Sequence, residues 1–220
     1  MRVVIFGGSG LIGQGVLLQA LDHPEVESVL SIGRRTLDAS HPKLRQLEHD
    51  DFFDFAPLAE EFRGLDACFW CLGTASGGMS EKDYTRITYD FTMAAAKVLQ
   101  SQSPGICFCF ISGAGTDDTE KGRMMWARVK GKTENALRRC GFERLYLFRP
   151  AFIKSTRGDT TRGSVPRALF AGVYPLLRSL GAATTNTAIG DAMLAVAAHG
   201  SDREILDSKA ITELSKARSS

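Results

Sequence analysis

Glycine spacing is the first feature of this 220-residue chain that can do chemistry: Gly7, Gly10 and Gly13 lie inside Val3-Val4-Ile5-Phe6-Gly7-Gly8-Ser9-Gly10-Leu11-Ile12-Gly13. An apolar run, a glycine turn and an amphipathic stretch read as a buried strand, a tight turn and the start of a helix. Gly7 permits the turn, Gly10 lets backbone come close to a pyrophosphate, and Gly13 lets the helix pack on the sheet. Ser9, Leu11 and Ile12 complete the loop and the first helical turn, whose N–H groups and positive dipole end face the phosphates. The strand before the glycines and the helix after them are the context that separates a dinucleotide fingerprint from an ordinary turn.

Arginine takes the place that decides between the two nicotinamide nucleotides. An NAD site carries a carboxylate after the second strand to accept the ribose 2′-OH. Here that strand ends at Gly33-Arg34-Arg35. Guanidinium groups pair with a 2′-phosphate in charge and geometry, and one can stack on adenine. The expected cofactor is therefore NADP(H). The plain alternative is a pair of solvated surface arginines. Further on, Asp51 and Phe52 are expected beside adenine, with Asp51 accepting from its amino group. Leu72, Gly73 and Thr74 are expected along the ribose and pyrophosphate. Ordinary turn chemistry is the alternative at both places.

Positioning these residues requires short apolar runs alternating with helical ones, the pattern of a parallel sheet with crossover helices. Strands are expected at Val3–Phe6, Glu27–Ile32, Leu44–Glu48, Ala67–Leu72, Ile106–Ile111, Arg144–Phe148 and Glu204–Leu206. Helices are expected at Leu11–Leu21, near Pro57–Phe62, at Glu81–Gln100 capped by Ser80, and at Arg123–Cys140 stopped by Gly141. Further helices are expected at Pro166–Leu180, Ala188–His199 and Lys209–Ala217, with a loop at Ser155–Ser164. The fold class is α/β, a doubly wound parallel sheet of Rossmann type with helices on both faces. One domain spans residues 1–220, and its C-terminal part, roughly 151–220, forms a small appendage on the substrate side.

Composition narrows the partners. A net charge of +2 gives no push toward nucleic acid or an anionic membrane. The longest apolar runs fall short of a membrane span and the first residues read as strand, so the expectation is a soluble, cytoplasmic protein. Five cysteines in such a chain are expected as free thiols. Cys68 and Cys71 have redox-motif spacing, but in a strand positions i and i+3 point to opposite faces. No His/Cys cluster has metal-ligand spacing.

The chain resembles the atypical short-chain dehydrogenase/reductases, and more closely their Tat-interacting-protein-like branch. The likeness is carried by Gly7–Gly13, Cys71-Leu72-Gly73-Thr74, Val129-Lys130-Gly131-Lys132, Phe148-Arg149-Pro150 and Lys209-Ala210-Ile211, which run nearly from end to end. The resemblance implies a Rossmann-type sheet, NADP(H), and a Ser/Tyr/Lys catalytic set. Carried over, the serine is Ser112 and the lysine is Lys130, which also holds ribose. Pro150 matches the position whose neighbouring backbone faces the nicotinamide amide. The tyrosine position is Trp126. An indole N–H donates a hydrogen bond but does not ionise usefully, so it cannot replace a phenol as acid/base. Trp126 and Lys130 share a helix face. Tyr84, Tyr89, Tyr146 and Tyr174 are the remaining phenols.

Two functions follow from this set. One is an NADP-dependent oxidoreductase acting on a small carbonyl or alcohol, its proton supplied by water, substrate or a side chain near Ser112. The other is a non-catalytic redox sensor that reports NADPH status to a regulatory protein partner. Gly131-Lys132-Thr133 imitates the end of a P-loop but lacks the earlier glycine. Arg157-Gly158-Asp159 is read as a chance tripeptide. The apolar face of Val165–Leu180, with Leu169, Phe170, Val173, Tyr174, Leu176 and Leu177, is read as core or as a homodimer interface.

Overall fold

The computed structural model describes residues 1–158, 175, 177, 179 and 181–217. The expected helix at Pro166–Leu180, its interface face, Tyr174, Asp159 and the end of the Ser155–Ser164 loop lie essentially outside the described residues.

Continuous apolar runs make strands buried on both faces, as an all-parallel sheet requires. The strands are β1 (Arg2–Phe6), β2 (Ser28–Gly33), β3 (Leu44–Glu48), β4 (Ala67–Trp70), β5 (Cys107–Ile111), β6 (Arg144–Arg149) and, late in the chain, β9 (Ile205–Asp207). They form one sheet in the order β3-β2-β1-β4-β5-β6-β9, with every neighbouring pair parallel. The order reverses between β1 and β4, where an open α/β sheet leaves its ligand crevice.

Alternation along each strand sends side chains to two cores. Val3 and Ile5 meet α1 (Leu11–Asp22), α5 (Asn186–His199) and α6 (Ser208–Ala217) on one face. Val4 and Phe6 meet the 3-10 helix Ala56–Phe62 and α3 (Phe91–Gln102) on the other. The second core is aromatic, with Phe6 edge-on to Phe55 at 5.6 Å and tilted against Trp70 at 4.5 Å. Cys68 falls in the second core, while Cys71 packs against the first. All five thiols are free, and burial pushes Cys71 up to about 12, far from reactive.

The structure departs from the expected elements in two places. The long helix expected at Glu81–Gln100 is α2 (Glu81–Thr85), a π turn at Arg86–Asp90 and then α3. Ser80 caps its start by accepting from Asp83 N. A second, two-stranded parallel sheet joins β7 (Phe152–Lys154) to β8 (Ala183–Thr185). Neither the π turn nor the β7–β8 pairing leaves a local signal in the sequence. In the C-terminal stretch the expected strand and helix are both present: β9 extends the main sheet and α5 packs against α1. Among the described residues no helix is long and apolar enough to cross a membrane.

Candidate functional site

Chain connections bring the residues singled out above to one edge of the sheet, at the C-terminal ends of β1, β2, β4, β5 and β6. Gly7 leaves β1 at φ +77°, and a Cβ there would lie 2.7 Å from the Cys71–Leu72 backbone. Only glycine satisfies both demands. A Cβ on Gly13 would sit 2.0 Å from the Gly7 carbonyl, so the first turn of α1 lies directly on the loop. At Gly10 an added Cβ meets only Gly7 O at 3.4 Å, and at Gly73 it meets nothing within 4 Å. Space beyond those two backbones is open to a ligand. Gly10 itself caps α1, with no side-chain cap and no acidic residue in the first turn, so the N–H groups of Leu11, Ile12 and Gly13 face that space.

A cleft of about 980 Å³ opens beside this loop, lined by Gly7, Ser9, Arg34, Arg35, Asp50 and Phe52, among others. Arg34 and Arg35 are exposed and have no ion-pair or hydrogen-bond partner among the described residues. Their loop is fixed from β3: Glu48 accepts from Thr36 N at 3.0 Å and Gln46 from Leu37 N at 2.7 Å. Leu72 also lines the cleft, while Gly73 and Thr74 are exposed beyond it. Asp51 Oδ1 accepts from Phe53 N at 2.9 Å in a local turn, and its neighbour Asp50 lines the cleft wall. Asp38 lies on the same wall.

The remaining residues singled out lie outside the lining of that cleft, on β5, β6 and α4 (Met125–Arg139) and the loops that follow the two strands. Ser112 N donates to Phe148 O at 2.8 Å and Ala114 N to Pro150 O at 3.0 Å, so the loop after β5 is strapped to the end of β6. Ser112 Oγ lies 2.7 Å from Thr116 Oγ1. The Trp126 ring leans on the same loop, 3.6 Å from where Cβ atoms on Gly113 and Gly115 would be. Room for the loop comes from Gly131, where a Cβ would collide with Asp117 O.

Lys130 is not the exposed helix lysine its sequence context also permits. It is 8% exposed, and its Nζ donates to Ile111 O at 2.8 Å, 4.9 Å from the centre of the Phe110 ring. Burial lowers its pKa to about 8, with Glu134 one turn on pulling the other way. Glu134 is fully buried and takes a two-bond ion pair from Arg149, through Nε at 3.0 Å and through Nη2. Sequence reasoning missed this pair, although Glu134 four residues after Lys130 was the available signal. It also missed Asn186. That buried amide donates to Leu11 O at 3.1 Å and Arg157 O at 2.8 Å, tying the start of α1 to the segment before Gly158. No described phenol hydrogen-bonds Lys130: Tyr146 accepts from Ser201 N, and Lys132 rests on the Tyr89 ring. Arg157 pairs with Asp22 at 2.6 Å, which gives the Arg-Gly pair a structural use.

Among known proteins, HTATIP2 of Rattus norvegicus is 28% identical over 220 residues, covering 97% of this chain and 89% of that protein. That similarity runs along nearly the whole chain and bears out the resemblance to the Tat-interacting-protein branch of the atypical short-chain dehydrogenase/reductases. Its fold is of the Rossmann type. The mitochondrial protein fmp52 of Emericella nidulans is 26% identical over 185 residues, covering 81% of this chain and 78% of that one. The Bordetella bronchiseptica enzyme WbmH, solved in complex with NAD+, superposes with a TM-score of 0.69 over 94% of this chain and 74% of its own, at 17% identity. That last likeness is one of fold. No protein-family model matches the chain. The expectation of a cytoplasmic protein is corrected by the fungal relatives, which are named mitochondrial proteins.

Proposed function

We propose that this chain is a single-domain NADP(H)-binding protein that carries out hydride chemistry on a small carbonyl or alcohol. The observation that carries the reading is the cleft running from the Gly7–Ser9 turn to Arg34 and Arg35, two cations without partners among the described residues. The glycine turn and the α1 N-terminus fit a pyrophosphate. Arg34 and Arg35 fit a 2′-phosphate, and Asp50 and Phe52 fit adenine as acceptor and wall. Asp38 and Asp50 would repel a phosphate placed against them. The position directly after Gly33 is nevertheless Arg34, and that position meets the 2′ oxygen in this fold.

Bound here, the nicotinamide ring supplies or accepts a hydride. Ser112 at the end of β5 fits the substrate oxygen. Lys130 keeps two N–H groups beyond its bond to Ile111 O, enough to hold ribose hydroxyls. Pro150 shapes the nicotinamide side from the end of β6. Trp126 stands where related enzymes use a tyrosine, so the proton is exchanged with water or with the substrate itself. Turnover is the test: NADPH consumption with aldehydes and ketones, and NADP+ reduction with alcohols. Nucleotide binding with no turnover on any of them would reject the enzyme.

A second reading, a non-catalytic sensor of NADPH acting through a protein partner or a homodimer, is favoured by one observation. The Lys130 ammonium is engaged by Ile111 O and the residue at the tyrosine position is Trp126, a combination that can hold ribose but has no acid/base. Sensing demands unequal affinity for the two redox states. Equal dissociation constants for NADPH and NADP+ would reject it.

A further inference from the structure

We propose that Thr116 fixes the proton of Ser112, so that Ser112 offers lone pairs to a bound ligand and selects a hydroxyl over a carbonyl. Thr116 Oγ1 donates to Gly113 O at 2.8 Å. A hydroxyl has one proton to give. With that proton committed, the 2.7 Å contact between Ser112 Oγ and Thr116 Oγ1 has Ser112 as its donor. Both partners are held in place. Thr116 is buried, its N–H closes the same turn onto Gly113 O at 3.1 Å, and Ser112 N is tied to Phe148 O. The opposite polarity would require Thr116 to give up its bond to Gly113.

What remains on Ser112 for a ligand is an acceptor. The Lys130 ammonium does not reverse this, because its bond among the described residues goes to Ile111 O. A carbonyl oxygen facing Ser112 would set lone pair against lone pair, whereas an alcohol O–H completes the chain from ligand to Ser112 to Thr116 to Gly113. Thr116 is thus a positioning residue acting through Ser112, and the ligand class is an alcohol or an N–H donor of similar shape. This rests on the reading of Ser112 as the group that faces substrate.

The test uses two probes that cannot react in the presence of NADP+: 1-methylcyclohexanol, which has no hydride to give, and cyclohexanone. Binding is followed through the amide signals of Ser112 and Ala114. The tertiary alcohol is expected to bind about tenfold tighter, the ratio one net hydrogen bond supplies. T116V is expected to abolish the ratio and T116S to keep it, which a merely structural loss would not do. A ketone that binds as well as the alcohol, or a ratio unchanged in T116V, overturns the proposal. So does failure of both probes to move those signals. NADP+ binding in the same samples separately reads the cofactor assignment beneath it. Neutron diffraction from deuterated crystals gives a second readout: deuterium is expected between Ser112 Oγ and Thr116 Oγ1, and a Ser112 deuterium aimed away from Thr116 overturns the inference.

Discussion

Lys130 spends its buried ammonium on the carbonyl of Ile111, the last residue of β5, at 2.8 Å, directly below Ser112 in the chain. Burial lowers its pKa from 10.5 to about 8. Between those values the unfolded chain holds a proton that the folded chain has released, so this group makes stability rise with pH across the window. Below about pH 8 both states are charged and the full penalty of burial remains. The contribution recovered by pH 10.5 is about 3 kcal/mol. Buried Cys68, Cys71 and Cys109 have raised pKa values and act oppositely at high pH. The slope is therefore read from urea unfolding as the difference between wild type and K130M. Parallel pH profiles for the two proteins would remove the claim.

Glu134 and Arg149 make a second testable pair, with Glu134 fully buried and the Arg149 side chain 17% exposed. Removing one partner strands the other charge, so E134A is expected to lose about 3–5 kcal/mol in denaturant unfolding. The double replacement E134L/R149M leaves no orphan and is expected to recover most of that loss. If the double variant is as weak as the single, the pair is more than a compensated charge.

Gly13→Ala places a methyl 2.0 Å from the Gly7 carbonyl, which is backbone and cannot rotate away. The turn must move, at a cost of about 3 kcal/mol or more. Gly10→Ala meets only Gly7 O at 3.4 Å and is expected to keep its melting temperature while losing nucleotide affinity. Calorimetry on both variants separates the fold requirement at Gly13 from the ligand requirement at Gly10.

Trp126→Tyr is expected to create alcohol oxidation with NADP+, since a phenol on the same helix face as Lys130 restores an ionisable acid/base. W126F, of similar volume to the tyrosine, is expected to bind nucleotide without that gain. Equal activity in the two variants would show that the phenol is not the missing part.

Much of this architecture was legible because its signals are local. The apolar run Val3–Phe6 with its glycines placed β1, the turn and α1, and the bounds of β3 came out as Leu44–Glu48. Strand alternation separated Cys68 from Cys71 correctly. What escaped reading depends on partners far away in sequence. Asn186 lies 175 residues from Leu11, and β7 pairs with β8 across some thirty residues. Of the neighbours Asp50 and Asp51, Asp51 is the one whose carboxylate closes the local turn onto Phe53, and Asp50 the one that lines the cleft. Lys130 reads equally well as a surface or a buried residue until the end of β5 is packed beneath it.

The most direct test of the account is a calorimetric titration of the protein with NADPH, NADP+, NADH and NAD+, repeated on R34A/R35A. The expected result is binding of the phosphorylated pair at least tenfold tighter, about 1.4 kcal/mol, with that preference lost in the variant. Equal binding of NADH and NADPH, or a preference that survives removal of both arginines, would contradict the assignment of the cleft. Failure of all four nucleotides to bind would leave a Rossmann-shaped scaffold without its cofactor.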